Sequence, residues 1–450
     1  MRNFRNYKQQ LGLTFNRKKV AGGIIAFFRK PFIRNVVIVI SGTALAQIVT
    51  TLFSPILTRI YGPESMGLYG TFTSVLSIAA PISALTFPIA IVLVKEDEEA
   101  KALAYLSMFV SVLMAALTFI GLFFFGDIIS RFLQVQVLRP YLLLVPVVML
   151  FSAMVEILNQ WFIRKRTFNL AARAGVFHAL ITNFLKLFLG LIAPTAASLV
   201  IVTTVGTGLN GILLLLGTGV LSFASLKRLS HIRLSKEMIQ IGKKYREFPL
   251  YRTPQAFVNA VSLNLPILML TTLFGPVAAG FYALGNKVLL LPVNLIGDSV
   301  GNVFYPRFSQ AYHEGEDTSK LLILATLALA GIGIIPFAII IYFGPAMFGW
   351  IFGQDWVTAG VYTRWIGLWV FTTFISRPAI KALPVVGAQK FHLVHTIVSI
   401  VCKSGLLLVG AVVFKNDVIA VALYGLSGSI LNILLIVVTV YKSRSVHQLN

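Results

Sequence analysis

Cysteine is almost missing from this chain. Cys402 is the one thiol among 450 residues, and it lies in an apolar run. A disulfide framework and a thiolate metal site within one chain are therefore excluded. Charge is scarce as well: 12% of residues carry it, against about 25% in soluble domains. Hydrophobic residues make up 57% and the mean hydropathy is +0.85. One core cannot hide that much apolar surface, so lipid is the expected solvent. Acidic side chains are the scarcest charges, 15 against 38 Lys and Arg, for a net charge of +23. In a soluble protein that imbalance would suggest nucleic acid; here the placement of the basic residues accounts for it.

Enzyme signatures are lacking too. There is no G-x-x-x-x-G-K-[ST] and no H-E-x-x-H. His392 and His395 stand three apart at an expected helix start without a carboxylate partner, so no metal site is expected. The expected outer turns are all shorter than roughly fifteen residues, once each span takes its ~20. That leaves little room for an extracytoplasmic catalytic region.

What the chain has is long apolar runs. They predict twelve spans at 36–60, 68–94, 102–125, 139–163, 172–193, 196–221, 249–274, 277–307, 321–343, 357–380, 391–413 and 418–441. Residues 1–35 are basic and carry no signal-peptide pattern, so they read as a cytoplasmic arm. With the N-terminus inside, 29 Lys and Arg fall in inner segments and five in outer turns, and Lys186, Lys287, Arg377 and Lys403 fall within spans. Basic loops resist translocation, so both termini are expected in the cytoplasm. Neither the net charge nor the loops then call for nucleic acid.

The chain also repeats itself. Leu57-Thr-Arg-Ile-Tyr-Gly-Pro-Glu-Ser-Met-Gly-Leu-Tyr-Gly70 returns as Leu270-Thr-Thr-Leu-Phe-Gly-Pro-Val-Ala-Ala-Gly-Phe-Tyr-Ala283. Each copy reads as a Gly-Pro turn between the first two helices of a half, a structural corner more than a site of chemistry. The halves are a six-span lobe at 36–225 and another at 249–450, joined by a basic linker at 226–248. Six spans per half make the repeat parallel. Glu96-Asp97-Glu98-Glu99 is echoed by Glu314-Gly315-Glu316-Asp317, and Pro81 and Pro292 predict bends at matching places. The fold class is an all-α integral membrane protein with about twelve transmembrane helices in two pseudo-symmetric lobes.

Charge inside a span costs about 2.5–3.5 kcal/mol on insertion scales and needs a partner or a wet cavity. Lys186, Lys287, Arg364, Arg377 and Lys403, with Arg59 of the first turn, are the candidates for a cationic cavity between the lobes. Lys and Arg there would suit a phosphate head group, although Arg364, Arg377 and Lys186 could equally snorkel to an interface. Lys287 and Asp298 are eleven residues apart, which on a continuous helix puts them on one face. Glu156 and Asp298 are the carboxylates that could couple a proton or sodium ion, or merely partner the lysines.

Several stretches resemble a known family. Ser41-Gly-Thr-Ala-Leu-Ala-Gln47, Ser54-Pro-Ile-Leu-Thr-Arg-Ile-Tyr-Gly-Pro-Glu64, Gly67-Leu-Tyr69 and Ala90-Ile-Val-Leu-Val-Lys-Glu96 are similar to the bacterial polysaccharide transporter family. So are Phe248-Pro-Leu-Tyr251, Gly280-Phe-Tyr282 and Phe304-Tyr-Pro-Arg307. That family includes Wzx-type O-antigen flippases. The resemblance covers most of 36–320 and implies the fold of the multidrug/oligosaccharidyl-lipid/polysaccharide exporter superfamily, two six-helix lobes around a central cavity. It implies transfer of a polyprenyl-pyrophosphate-linked oligosaccharide across a bacterial inner membrane, without cofactor. Polysaccharide polymerase and chain-length proteins would be partners. It transfers no catalytic motif. The rivals are a drug or cation antiporter on the same fold, and a membrane scaffold or enzyme of polysaccharide assembly.

Overall fold

The computed structural model describes residues 31–218 and 236–447. Most of the basic arm at 1–35 and the first part of the linker at 226–248 lie outside the described residues. Every regular element among the described residues is helical. The N-terminal lobe comprises α1 (Pro31–Ser83), a 3-10 turn (Phe87–Val92), α2 (Asp97–Phe132), α3 (Arg139–Leu142), α4 (Val145–Lys165), α5 (Phe168–Ile192) and α6 (Ala196–Thr218). A linker helix, α7 (Lys236–Lys244), and a π turn (Phe248–Arg252) lead into the second lobe. That lobe comprises α8 (Thr253–Phe274), α9 (Pro276–Pro292), a π turn (Val293–Gly297), α10 (Asp298–His313), α11 (Thr318–Phe352), α12 (Val357–Ile375), α13 (Arg377–Ala382), α14 (Gln389–Val412) and α15 (Asp417–His447).

Nine helices among the described residues are long and apolar enough to cross a membrane. The shortfall from the twelve expected spans has local causes. The spans at 36–60 and 68–94 are one element, α1, bent at Gly62. The span at 277–307 is cut by the π turn at Val293–Gly297 into two helices, each too short to cross alone. The span at 357–380 runs as α12 and α13, and α12, though 19 residues long, is not apolar enough to count. Phe123, Phe124, Phe125, Ile334 and Ile335 face outward. Apolar surface on that scale is what a lipid solvent requires.

The Gly-Pro turns explain the shape. Gly62 has φ 67 and ψ 173, and Gly275 has φ 87 and ψ 175. A side chain would strain that backbone, so glycine makes the turn, and the following proline starts the next helix at its first position. The two copies of the repeat then pack on each other across the lobe boundary. A Cβ built on Gly67 would lie 1.7 Å from the Pro276 carbonyl oxygen, and one on Gly280 would lie 2.3 Å from that of Pro63. Backbones approach this closely only through glycine. Around this contact the lobes are tied further. The Trp356 indole donates to the Thr58 carbonyl at 3.1 Å, and the Thr71 and Thr271 hydroxyls are 2.7 Å apart. Trp356 and Tyr362 both meet Phe281 edge to face, at 6.0 and 5.9 Å, in the core of the second lobe.

At the far end of the seam between α1 and α8, the Thr86 hydroxyl donates to the Phe248 carbonyl at 3.2 Å and lies 3.0 Å from Thr253 Oγ1. The regular α-helix is interrupted after both prolines: α1 ends at Ser83, two residues after Pro81, and the π turn follows Pro292 directly.

The linker is more than a loop. Met238 of α7 is buried, and Ile241, Tyr245 and Phe248 pack against Leu103, Leu106 and Trp161 of the first lobe. Lys244 pairs with Glu99, whose hydrogen bond holds the ammonium above its usual pKa. The acidic echo is structural as well. Asp97 opens α2 and binds Arg164 at 3.0 Å and Lys165 at 2.5 Å. Asp317 caps α11, accepting from the Lys320 amide at 3.1 Å.

Candidate functional site

The tyrosine one residue before the end of each repeat is where the candidate site begins. Tyr69 lies six residues beyond Pro63, about 9 Å along the helix from the turn. Its hydroxyl accepts from Lys186 Nζ of α5 at 2.8 Å and lies 3.0 Å from Thr203 Oγ1 of α6. The ammonium also sits over the Tyr69 ring, 4.7 Å from its centroid. Tyr61, from the first side of the turn, donates to the Lys186 carbonyl at 2.7 Å and fixes the backbone under that lysine. Lys287, from α9 of the other lobe, is exposed and within electrostatic reach of Tyr69 and Lys186. Two ammonium groups from opposite lobes therefore converge on one phenol.

The second lobe repeats the pattern with different partners. Tyr282, the counterpart of Tyr69, meets Tyr424 edge to face at 6.2 Å. Tyr424 stands where Thr203 stands in the first lobe, seven residues into the last long helix. Lys403 of α14 lies over the Trp369 ring at 4.7 Å and the Tyr424 ring at 5.2 Å. In each lobe, a lysine of the penultimate long helix is thus seated on an aromatic ring by the motif tyrosine or its neighbour. Cation–π contact holds an ammonium without neutralising it. Among the described residues, Lys186, Lys287 and Lys403 form no salt bridge. Lysines with no carboxylate partner in a lipid-facing protein are positioned for an anionic ligand.

Other sequence candidates stand elsewhere. Arg59 is at the turn end, where its guanidinium donates to the Trp350 carbonyl at 2.6 Å and bridges the lobes. Arg364 is exposed and donates to the Tyr342 carbonyl at 3.3 Å, beside outward-facing side chains. Arg377 opens α13 at the end of the lobe away from the Gly-Pro turns, packed against Gly297 of the π turn. Glu156 is exposed and accepts from Gln160 at 2.7 Å. The Asp298 side chain lies outside the described residues. The backbone alone breaks the register that would align it with Lys287, because the π turn between them rotates the following residues off the α-helical count. No group of three or more His, Cys, Asp or Glu among the described residues could hold a metal ion.

Tyr69, Tyr282, Trp369 and Tyr424 carry no charge and were not singled out by a search for charge in spans. The repeat did contain a signal, since both copies carry a tyrosine at the same position, Tyr69 and Tyr282. A cavity of about 490 Å³ opens inside the first lobe beside Lys186, between α1, α5 and α6.

Residues 56–361 match the family described as polysaccharide biosynthesis protein. No curated protein matches the chain. Among solved structures, the fold is similar to an inward-facing multidrug resistance MATE family transporter of the MOP superfamily, with TM-score 0.70 and 14% identity over 89% of this chain and 96% of that one. An outward-facing transporter of that family aligns with TM-score 0.55 and 14% identity, over 92% of this chain and 95% of the other. A MOP superfamily transporter from Pyrococcus furiosus aligns with TM-score 0.59 and 15% identity, over 93% and 96%. For that protein, a reversed polarity of the binding pocket is described as suggesting a different function. At these identities the likeness shows the fold.

Proposed function

Because the chain belongs to the polysaccharide biosynthesis protein family and is a multi-pass membrane transporter of MATE-like fold, we propose that it flips a polyprenyl-pyrophosphate-linked oligosaccharide. The cargo would be an O-antigen, capsule or exopolysaccharide repeat unit, moved from the inner to the outer leaflet of a bacterial inner membrane, with both termini cytoplasmic. The observation that carries this is three lysines that form no salt bridge among the described residues: Lys186, seated on Tyr69, and Lys287, which reaches it electrostatically across the lobe boundary, with Lys403 seated on Trp369 and Tyr424 in the second lobe. Ammonium groups are mobile point charges suited to phosphate oxygens. The prenyl tail would stay in lipid while the head group crosses between the lobes. The lobes touch at the Gly-Pro turns, the outer end in this topology, and again through Thr86 and Thr253 at the far end of the seam. Differential affinity for the two states, with a proton or sodium gradient, would set direction. Polymerase and chain-length proteins would take the product.

A drug or cation antiporter would need carboxylates where these lysines stand. The reversed pocket polarity described for the Pyrococcus furiosus relative is a parallel within the same fold. The test is lipid-linked oligosaccharide movement in proteoliposomes, with surface polysaccharide in cells alongside. Lys287→Ala and Lys403→Ala are expected to lower both at unchanged protein level. Wild-type rates in both variants and in Lys186→Ala would overturn the proposal.

A further inference from the structure

The cavity inside the first lobe differs in chemistry from the lysines beside it. It is about 490 Å³, within the ~300–1,000 Å³ usual for small-molecule sites. Its polar lining is Gln47 and Thr50 of α1, His178, Thr182 and Asn183 of α5 and Thr203 and Thr207 of α6, with Lys186 and Tyr69 on its lining as well. Neutral oxygen and nitrogen groups dominate. Thr182 is 7% exposed, and its hydroxyl has no hydrogen-bond partner. Thr50 and Thr207 give their protons to their own helices, at the Ala46 carbonyl (2.9 Å) and the Thr203 carbonyl (2.8 Å). The lone pairs of Thr207 are left to accept, and Thr50 keeps one beside the bond it takes from Asn183. Asn183 is 4% exposed and is held by the Ala179 carbonyl at 2.7 Å and Thr50 Oγ1 at 3.4 Å.

This polar interior is built into the helix packing. A Cβ on Gly206 would lie 2.9 Å from Thr182 Oγ1 and 3.5 Å from His178 Nε2, so glycine lets α6 approach without displacing either group. A second cavity of about 310 Å³ shares Ala46 and Gly175 with the first, and Asn159 and Asn210 line it. The Asn210 side-chain oxygen is buried and also has no partner. Buried polar atoms normally have partners, and two orphans along one polar file point to a ligand that supplies them.

Three kinds of ligand could be weighed. A cation meets the Lys186 ammonium and no carboxylate in the lining of either cavity. An anion meets one ammonium and several acceptor oxygens that repel it. An uncharged polyol supplies O–H donors to Thr50 and Thr207, and both a donor and an acceptor to Thr182. Resting on the lipid-linked glycan function proposed above, we infer that this cavity is the subsite for the uncharged sugar end of the cargo. The phosphates would meet the lysines at the lobe boundary.

The experiment compares two probes on the purified full-length protein in nanodiscs: undecaprenyl pyrophosphate, and the same lipid bearing one N-acetylhexosamine. Binding is read by native mass spectrometry, and folding by melting temperature. The wild type is expected to prefer the sugar-bearing probe by about tenfold, the effect of one or two net hydrogen bonds. Thr182→Val with Thr207→Val should remove that preference and leave affinity for the bare lipid unchanged. Thr182→Val alone should halve it or more, which serves if the double variant melts early. Lys287→Gln should weaken both probes alike. Equal wild-type affinity for the two probes, or equal loss of both in the threonine variants, would overturn the sugar subsite. An intact sugar preference with no effect of Lys287→Gln would overturn the phosphate assignment and spare the subsite. Failure of the wild type to bind either probe would remove both.

Discussion

Replacing Gly67 with alanine tests the lobe contact directly. The added Cβ would meet the Pro276 carbonyl oxygen at 1.7 Å, its carbon at 2.6 Å and the Gly280 nitrogen at 3.0 Å. All three are backbone atoms, so no rotamer change relieves the clash. Ordinary contact needs about 3.5 Å, so the two turns must part by well over an ångström. Overpacking of this kind costs about 1–3 kcal/mol. The cost falls only on states in which the turns touch, so the equilibrium should move by ~5- to 150-fold toward the state open at that end. Spin labels at Glu64→Cys and Asp355→Cys, in a Cys402→Ser background, would report the separation by pulsed electron resonance. Both positions are exposed at the turn end, one in each lobe. The expected result is a longer distance population in Gly67→Ala and no change in Gly121→Ala, where a Cβ meets nothing within 4 Å. An unchanged distance distribution with an unchanged melting temperature would refute the contact.

Three further outcomes follow from the geometry. Tyr69→Phe keeps the ring under Lys186 and loses the hydroxyl that meets Lys186 and Thr203, so transport should fall by roughly 2- to 10-fold, against a larger loss in Tyr69→Ala. Arg164 is almost buried and donates to the Ile91, Val94 and Lys95 carbonyls as well as Asp97. Arg164→Ala should cost about 2–3 kcal/mol, seen as a lower melting temperature with the α2 N-terminus exchanging faster. Glu316 is held below the usual glutamate range by the Arg307 hydrogen bond. Its contribution is therefore full above about pH 4.3, the ordinary glutamate value, and is lost as pH falls through the lower folded value. Melting scans from pH 7 to 3 should show a weaker acid dependence in Arg307→Gln; identical slopes would exclude the linkage.

The repeat, the two Gly-Pro turns and the helix interruptions after Pro81 and Pro292 could be read from the sequence because each rests on a residue with its own backbone rule. The span count could not be read as cleanly. Gly62 bends a helix without ending it, and the π turn after Pro292 has no signature in hydropathy. That same turn undid the alignment of Lys287 with Asp298, which assumed an unbroken helix. Lys186, Lys287 and Lys403 were visible as charges in apolar runs. Arg59 and Arg364 were visible in the same way, and nothing in charge alone separates them from the lysines. The difference lies in what each meets: a carbonyl at the turn end or the outer surface for the arginines, aromatic rings and a facing charge for the lysines. Tyr69 was read as part of a corner because its lysine is 117 residues away. The cavity in the first lobe had no signal, since threonine, asparagine and histidine from three helices make no local pattern.

Tyr69 follows Gly67 by two residues, so the seal and the cation seat share one short piece of helix. Lys186 moves with that piece, and Lys287 moves with its partner across the boundary. Like charges carried on separate rigid bodies push those bodies apart, and the push grows as the gap narrows. While the gap is empty, the protein therefore acts as its own spring against closing. An anion between the two ammonium groups reverses the sign of that force. The cargo would then be the counter-ion without which the two bodies cannot come together around it.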